Sequence, residues 1–499
     1  MSVFGPVVAA LVACTTWFIF RGITRLYFHP LSAFPGPPIA AVTGLYKAYI
    51  DVVAQSSFVH NLERLHAIYG DVVRVGPNEL HFANPEVCQE ICNAPNRWDK
   101  EESLYHSFGE DRSSFGSLTY AEAKPRKDIL TRLFSKKAIR DAEHLVQEKV
   151  LGLCDSFLRT GERSVDLFYA FRCMSIDVIT YICFGHSVNA LESPGHEAPI
   201  ILAMDASLPV FVRFKYSSLY KNMIIKCPPN ISKVVSPATK GLVNLQVAIK
   251  EQVVDLKNNP EHLKTLPHNT TIWNELLKPE VHPDGRVPDI GSLFEESQAF
   301  LFGGADTTGT TLMHGTFCVL EDPEVYHRLK AELQQAWPDL EDAPSQSTLE
   351  TLPYLSAVIR ESLRMSPGVA SPLPRVVPAS GTKLGGNFIP GGTVVEMSSH
   401  FVHRSADTFE NPNEFKPDRW MGPGGKDLEK WLVSFSRGPR SCLGLNLAWA
   451  ELYLTFAHVY RKFDIEVDPS SPKELRWRDC FLPEYLGPHL KAKMTPVKA

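Results

Sequence analysis

Phe435-Ser-Arg-Gly-Pro-Arg-Ser-Cys-Leu-Gly444 is the stretch that decides how this chain is read. A cysteine that serves as a thiolate ligand makes three demands on its neighbours. The backbone must turn tightly around the sulfur, N–H donors must moderate its charge, and a cation must meet any anionic group beside it. Gly438 and Gly444 supply backbone freedom where a side chain would collide with a bound group. Arg440, two residues ahead of Cys442, offers a charge-assisted donor. From Leu445 onward, Asn-Leu-Ala-Trp-Ala-Glu-Leu-Tyr-Leu reads as an apolar helix, so Cys442 stands just before a helix N-terminus. The partial positive charge and free N–H groups there favour a thiolate. A lone cysteine beside a helix is most often a core residue. The constellation with Phe435, Gly438, Arg440 and Gly444 argues otherwise, since background composition yields it in roughly one chain in ten thousand of this length.

The pattern F-x-x-G-x-R-x-C-x-G resembles the haem-binding signature of the cytochrome P-450 family. The resemblance implies haem b with Cys442 as its proximal iron ligand, Phe435, Gly438 and Gly444 shaping the ligand loop, and Arg440 reaching a propionate. It implies a mainly α fold with small β-sheets (α+β). The bulk numbers agree with a globular chain: 499 residues, 44% hydrophobic and 21% charged. Length alone would suggest two to four domains; the resemblance implies one catalytic domain over 39–499. A net charge of −5 gives no pointer to nucleic acid. Ten cysteines show no short-spaced metal pattern. Cys88 and Cys92 can share a helix face, but no second pair follows, and scattered thiols suit a reducing compartment.

Ser2 to Phe20 is uncharged and mostly apolar, and Arg21 and Arg25 follow it. That length suits a bilayer-crossing helix, and basic residues on its C-terminal side suit a retained signal anchor better than a cleaved signal peptide. We expect a transmembrane anchor over 1–21, a basic and Pro-rich hinge over 22–38, and a single-pass protein of the endoplasmic reticulum membrane with its catalytic domain in the cytosol. Val72–Val75 and Glu79–Phe82 flank Gly-Pro-Asn and read as a hairpin. Pro85 to Cys92 reads as a short helix. Residues 99–122 are irregular, with Tyr105, Phe108 and Phe115; the resemblance implies that they cover the haem and line a substrate pocket. Lys124-Pro-Arg-Lys127 opens a basic helix that resembles the one giving propionate contacts, here expected from Lys124 and Arg126, although Ala123 stands where many relatives carry histidine. From 140 to 265 the periodicity is mainly helical. Within that span Leu208–Phe214 and Met223–Ile225 are unusually apolar for a connection. Asn230-Ile-Ser232 and Asn269-Thr-Thr271 match glycosylation sequons that a cytosolic domain would not use.

Ile290 to about Leu320 reads as one long helix whose middle is Gly303-Gly-Ala-Asp-Thr-Thr308. Two glycines there cost about 1 kcal/mol each against alanine, which suits a backbone that something must approach closely. Asp306 and Thr307 match the family's acid–alcohol pair, which implies proton delivery to dioxygen. Glu361 and Arg364 lie at i, i+3 on a helix face. With Arg419 they resemble the family's E-x-x-R triad, implying a structural role behind the haem. Arg375 matches a propionate partner, and Phe115, Val369, Ala370, Leu373 and Phe481 are the expected substrate contacts. His403 is a further residue placed to meet a propionate.

Taken together the resemblance implies a monooxygenase that inserts one atom of O2 into a hydrophobic small molecule. The fungal-looking hinge points to a terpenoid or polyketide intermediate of secondary metabolism. No flavin or nicotinamide fingerprint occurs in the chain, so electrons are expected from NADPH through a separate cytochrome P-450 reductase, with cytochrome b5 as a second donor. Lys136, Lys137, Arg140 and Arg437 are the expected docking contacts. An isomerase or dehydratase on the same scaffold, a peroxygenase, and a haem sensor without turnover are the other readings.

Overall fold

The computed structural model describes residues 4–93, 95–231 and 240–498. Ser232 of one sequon, and residues 232–239 of the expected helical span, lie outside the described residues. The long helix expected from sequence runs Ile290–Glu321, 32 residues, and is the axis of the molecule. Its start is fixed by Asp289, whose carboxylate accepts from the Gly291 and Ser292 N–H groups. Against it pack helices Leu167–Phe184, Pro353–Met365 and Leu445–Lys462. The long helix meets Leu167–Phe184 so closely that glycine is required twice. A Cβ at Gly304 would lie 2.5 Å from Ile179 Cγ1, and one at Gly309 would lie 2.6 Å from Arg172 Cγ. Gly304 is therefore required by helix packing; at Gly303 no neighbour stands within 4 Å of that position.

The small sheets lie to one side. A five-stranded sheet is ordered Val72–Gly76, Glu79–Phe82, Val394–Glu396, Arg375–Val376, Asp99–Lys100. The expected hairpin pairs Val72 with Phe82. Antiparallel strands Trp477–Cys480 and Leu482–Tyr485 present Phe481 at their tip with a left-handed φ of 76°. Leu208–Phe214 is no connection: it lies inside helix Pro199–Tyr216, and its apolar residues Leu208, Val210, Phe211 and Phe214 are buried.

Helix Phe4–Ile23 stands outside the packed body. Residues Val7–Phe28 have a mean hydropathy of 1.7 over the most apolar window, none of it buried, so this apolar helix is long enough to cross a bilayer. Leu167–Phe184 is also long and apolar but is 89% buried in the core. The connector after the first helix is pinned to the body. The Arg74 N–H donates to Pro35 O at 2.7 Å, Arg74 Nη1 donates to Arg25 O at 3.0 Å, and Gly36 sits where a Cβ would be 2.3 Å from Arg74 O.

Glu361 is wholly buried and collects five hydrogen bonds from four residues. Arg364 donates through Nε (2.9 Å) and Nη2 (2.7 Å), Arg419 through Nε (3.0 Å), Trp420 through Nε1 (2.8 Å) and Lys416 through its backbone N–H (2.8 Å). Arg364 in turn donates to the carbonyls of His403, Pro412 and Glu414. Removing the negative charge leaves two buried guanidinium groups without their counter-charge. Glu361→Gln should therefore lose about 3–5 kcal/mol of stability, read as the denaturant midpoint; an unmoved midpoint would show that the network is dispensable.

Candidate active site

The Cys442 N–H donates to Phe435 O at 2.8 Å, folding the loop between them into a closed turn. Within it Ser436 (φ 56°) and Gly438 (φ 66°) are left-handed. At Gly438 a Cβ would stand 2.2 Å from Cys92 O, so angle and neighbour together demand glycine. Gly444 opens helix Leu445–Lys462, and its N–H bonds the Cys442 sulfur. That sulfur faces a cavity of about 600 Å³ between the loop and the long helix. Burial pushes the Cys442 thiol up, and the Gly444 N–H and the Lys127 ammonium oppose it. The Cys442 side chain is open to the cavity, and a metal ion at the sulfur would favour its thiolate form.

Cations gather along the same cavity: Lys100, Lys127, Arg375, Arg437 and Arg440 all line it. Strand register sets Lys100 directly opposite Arg375. Burial, then Arg375, Arg440 and Lys127, hold the Lys100 ammonium well below its ordinary range. Arg375 Nη1 donates to Tyr105 Oη at 2.6 Å, Arg440 Nη2 to Leu118 O at 2.8 Å, and Lys127 Nζ to Ser441 O at 2.8 Å. Among the described residues Arg437 Nε and Arg440 Nε are buried without a partner. An unpaired buried donor costs about 1–3 kcal/mol, and crowded cations gain from an added anion. A sulfur ligand on the floor, orphaned guanidinium donors at an edge and apolar walls fit a metal-bearing macrocycle with carboxylate arms.

The expected residues divide when placed. Lys124 lies on the cavity rim but pairs with Asp128. Arg126 turns to the long helix, binding Glu296 at 3.1 Å and Ser292 Oγ at 3.0 Å, and is not part of the cavity wall. Its neighbour Lys127 takes the inward place. Ala123, Lys127 and Thr131 follow one another at i, i+4 on helix Tyr120–Leu133 and all line the cavity. That spacing was the available signal for Lys127; Lys100 had none, because strand pairing brings it in. His403 accepts from the Val433 N–H at 3.0 Å through Nε2 and so braces the ligand loop.

On the long helix Gly303 and Thr307 line the cavity, and the Thr307 hydroxyl donates to Gly303 O at 3.0 Å. Asp306 points away from it. The carboxylate binds Arg172 Nε at 2.6 Å, and Arg172 Nη1 also meets Asp205 at 2.7 Å. Burial raises the Asp306 carboxyl and Arg172 opposes it, while Oδ2 has no hydrogen-bond partner among the described residues. Phe115, Val369, Leu373 and Phe481 line the cavity as expected contacts. Ala370 does not; it is fully buried, and its carbonyl accepts from Ser398 Oγ at 2.6 Å. The sequence reading missed Phe302, whose ring centroid lies 5.5 Å from that of Phe211 in an aromatic wall continued by Phe108 and Phe481 at 4.8 Å.

The two arginine environments separate by experiment. Arg440→Leu should accelerate haem loss to apomyoglobin roughly tenfold or more, the scale of a charged hydrogen bond, and Arg126→Leu should leave that rate unchanged. Equal rates for both variants would remove Arg440 from the cofactor edge.

Comparisons with known proteins match this geometry. The Cytochrome P450 family profile covers residues 35–485. The chain is 30% identical to the cytochrome P450 monooxygenase flvC of Aspergillus flavus, covering 94% of this chain and 92% of that one. It is 32% identical to the cytochrome P450 monooxygenase macH of Penicillium terrestre, covering 97% and 96%. A crystal structure of the haem domain of cytochrome P450DA shares the fold at a TM-score of 0.75 and 17% identity, covering 93% of this chain and 98% of that one. With the thiolate loop, the buried triad and the extended match in hand, the chain belongs to the cytochrome P450 family and is a haem-dependent monooxygenase that uses O2.

Proposed function

We propose that this enzyme oxidises an apolar terpenoid or polyketide skeleton in fungal secondary metabolism, with electrons from NADPH delivered by a separate cytochrome P-450 reductase. The observation that carries the reading is one cavity with Cys442 at its floor, Thr307 in its wall and aromatic side chains around the remaining space. Haem bound at Cys442 would supply O2 activation and one-oxygen transfer, with the thiolate pushing electron density that favours O–O cleavage. Arg375, Arg437, Arg440 and Lys127 would hold its carboxylate arms, and Phe435, Gly438 and Gly444 would shape its seat.

The protein's own part is to bind, exclude water and move protons. Thr307 carries the hydroxyl in the cavity wall, its proton resting on Gly303 O until a better acceptor arrives. Asp306, adjacent in sequence, is the acid that could resupply it. Burial makes Asp306 hold a proton more readily than an exposed aspartate, and Arg172 links it to the half-buried Asp205. Phe108, Phe115, Phe211, Phe302 and Phe481 would enclose the substrate and keep bulk water from the reacting atoms.

Helix Phe4–Ile23 would anchor the protein, single-pass, in the endoplasmic reticulum membrane, as the 1–21 anchor, 22–38 hinge and 39–499 domain reading has it. Lys137 and Arg140, both exposed, would serve the reductase or cytochrome b5. Lys136 already pairs with Glu350 at 3.0 Å, and Arg437 Nη2 donates to Glu429 O at 2.9 Å, so both would contribute less to docking.

With reductase and NADPH, the wild type should form a product containing one atom from O2. Thr307→Ala should keep consuming NADPH while product per NADPH falls about tenfold or more, within the range general acid catalysis commands, and peroxide should accumulate. Product made equally well by Thr307→Ala would remove Thr307 from proton delivery. Turnover driven by added peroxide but never by NADPH with reductase would overturn the monooxygenase cycle in favour of a peroxygenase.

A further inference from the structure

The segment before helix Tyr120–Leu133 is wound tightly enough to press one carboxyl into the cavity wall. A Cβ at Gly116 would fall 1.7 Å from Glu110 O, and that carbonyl also accepts from Ser113 N–H (3.0 Å) and Ser113 Oγ (2.9 Å). Glu110 is left 3% exposed and lines the cavity beside Phe108 and Phe115. One carboxyl oxygen, Oε1, accepts from Gln298 Nε2 at 3.0 Å. The Gln298 amide is itself fixed from both ends. Its nitrogen donates to Phe108 O at 3.0 Å, and its oxygen accepts from Gln246 Nε2 at 2.6 Å. Oε2 makes no hydrogen bond among the described residues.

The surroundings settle the proton. Burial is the largest influence, and Glu296, Glu295 and Asp111 add to it against the Gln298 hydrogen bond, so the Glu110 carboxyl is pushed up to about 8. The charged groups packed around it are already paired. Glu295 meets Arg112 at 2.7 Å, Glu296 meets Arg126 at 3.1 Å, and Asp111 meets Lys221 at 3.4 Å and His106 at 3.9 Å. Among the described residues no cation bonds Glu110, and Lys100, which lines the same cavity, donates to Phe115 O instead; at neutral pH the carboxyl therefore keeps its proton, with Oε2 as the donor left over at the wall of the aromatic chamber. A buried donor without an acceptor is costly, and a site built around one rejects molecules that cannot pair it.

We propose that Glu110 donates a hydrogen bond to a carbonyl or ether oxygen of the substrate, so that this enzyme acts on an apolar skeleton that already carries oxygen. The inference rests on the apolar-substrate reading above and narrows it. It also places an oxygen-introducing or oxygen-retaining reaction, such as ketone or lactone formation, before this one. Glu110 is a specificity residue rather than a participant in oxygen transfer.

The test uses the full-length haem-loaded enzyme and three matched probe pairs: decalin and 2-decalone, cyclododecane and cyclododecanone, fluorene and fluorenone. Affinity is read by equilibrium dialysis and by the shift of the haem absorbance band. At pH 7 at least one ketone should bind tenfold or more tightly than its hydrocarbon. Glu110→Leu should abolish that preference while keeping hydrocarbon affinity. Glu110→Gln, whose amide nitrogen can donate in place of the O–H, should retain it. Raising the pH through about 8 should erase the preference in the wild type, because the donor proton is lost, and should leave Glu110→Gln unaffected. Equal affinities within every pair, or a ketone preference that survives in Glu110→Leu, would overturn the role of Glu110 alone. A haem-loaded enzyme that bound none of the six probes would overturn the apolar-substrate reading together with it.

Discussion

A single buried carboxylate positions the thiolate loop. Glu361 has no solvent to share its charge with, so its donors must come from the protein, and they come from Arg364, Lys416, Arg419 and Trp420. Taking an ion pair out of water brings little net stability; what this one brings is position. Arg364 carries the constraint to His403 O, His403 Nε2 receives the Val433 N–H, and Ser434 Oγ donates to Leu363 O. Val433 and Ser434 lead directly into Phe435, whose carbonyl takes the Cys442 N–H. The sulfur is thus located by a series of bonds that begins on a helix behind it.

In front of the sulfur the physics reverses. The rear network satisfies its charges, and the cavity leaves donors unsatisfied at its edge. Lys100 is held below its ordinary range, and Arg437 Nε and Arg440 Nε lack acceptors among the described residues. Such a cluster is stable only because the surrounding fold over-determines it, and it is repaid when an anionic group arrives. The chamber above is walled in large part by aromatic side chains, with Thr307 and Glu110 among its polar residues, and a polar atom beside such a wall has a directional effect that water would otherwise blur.

Much of this was legible in the chain because it is encoded locally. The ten residues ending at Gly444, the i, i+3 pair Glu361–Arg364 and the Gly-Pro-Asn hairpin are short-range patterns, and each fixes its own geometry. What escaped sequence reading is encoded by distance. Lys100 enters the cavity through strand register with Arg375, and Asp306 finds its partner Arg172 on another helix. Gly303 and Gly304 look alike in sequence and both line the cavity, yet only Gly304 is also pressed against a neighbour, Ile179. Arg126 and Lys127 differ by one residue, which is 100° around a helix, and that turn decides which of them reaches the cavity.

The pinned connector has a mechanical consequence. Pro35 and Arg25 are both fastened to Arg74, so the first helix and the body behave as one lever rather than as a weight on a string. Were the apolar helix seated in a bilayer, its tilt would become the tilt of the whole domain. A partner confined to the same surface would then meet one face at one height, and the encounter would forgo much of the rotational search that a loose tether imposes.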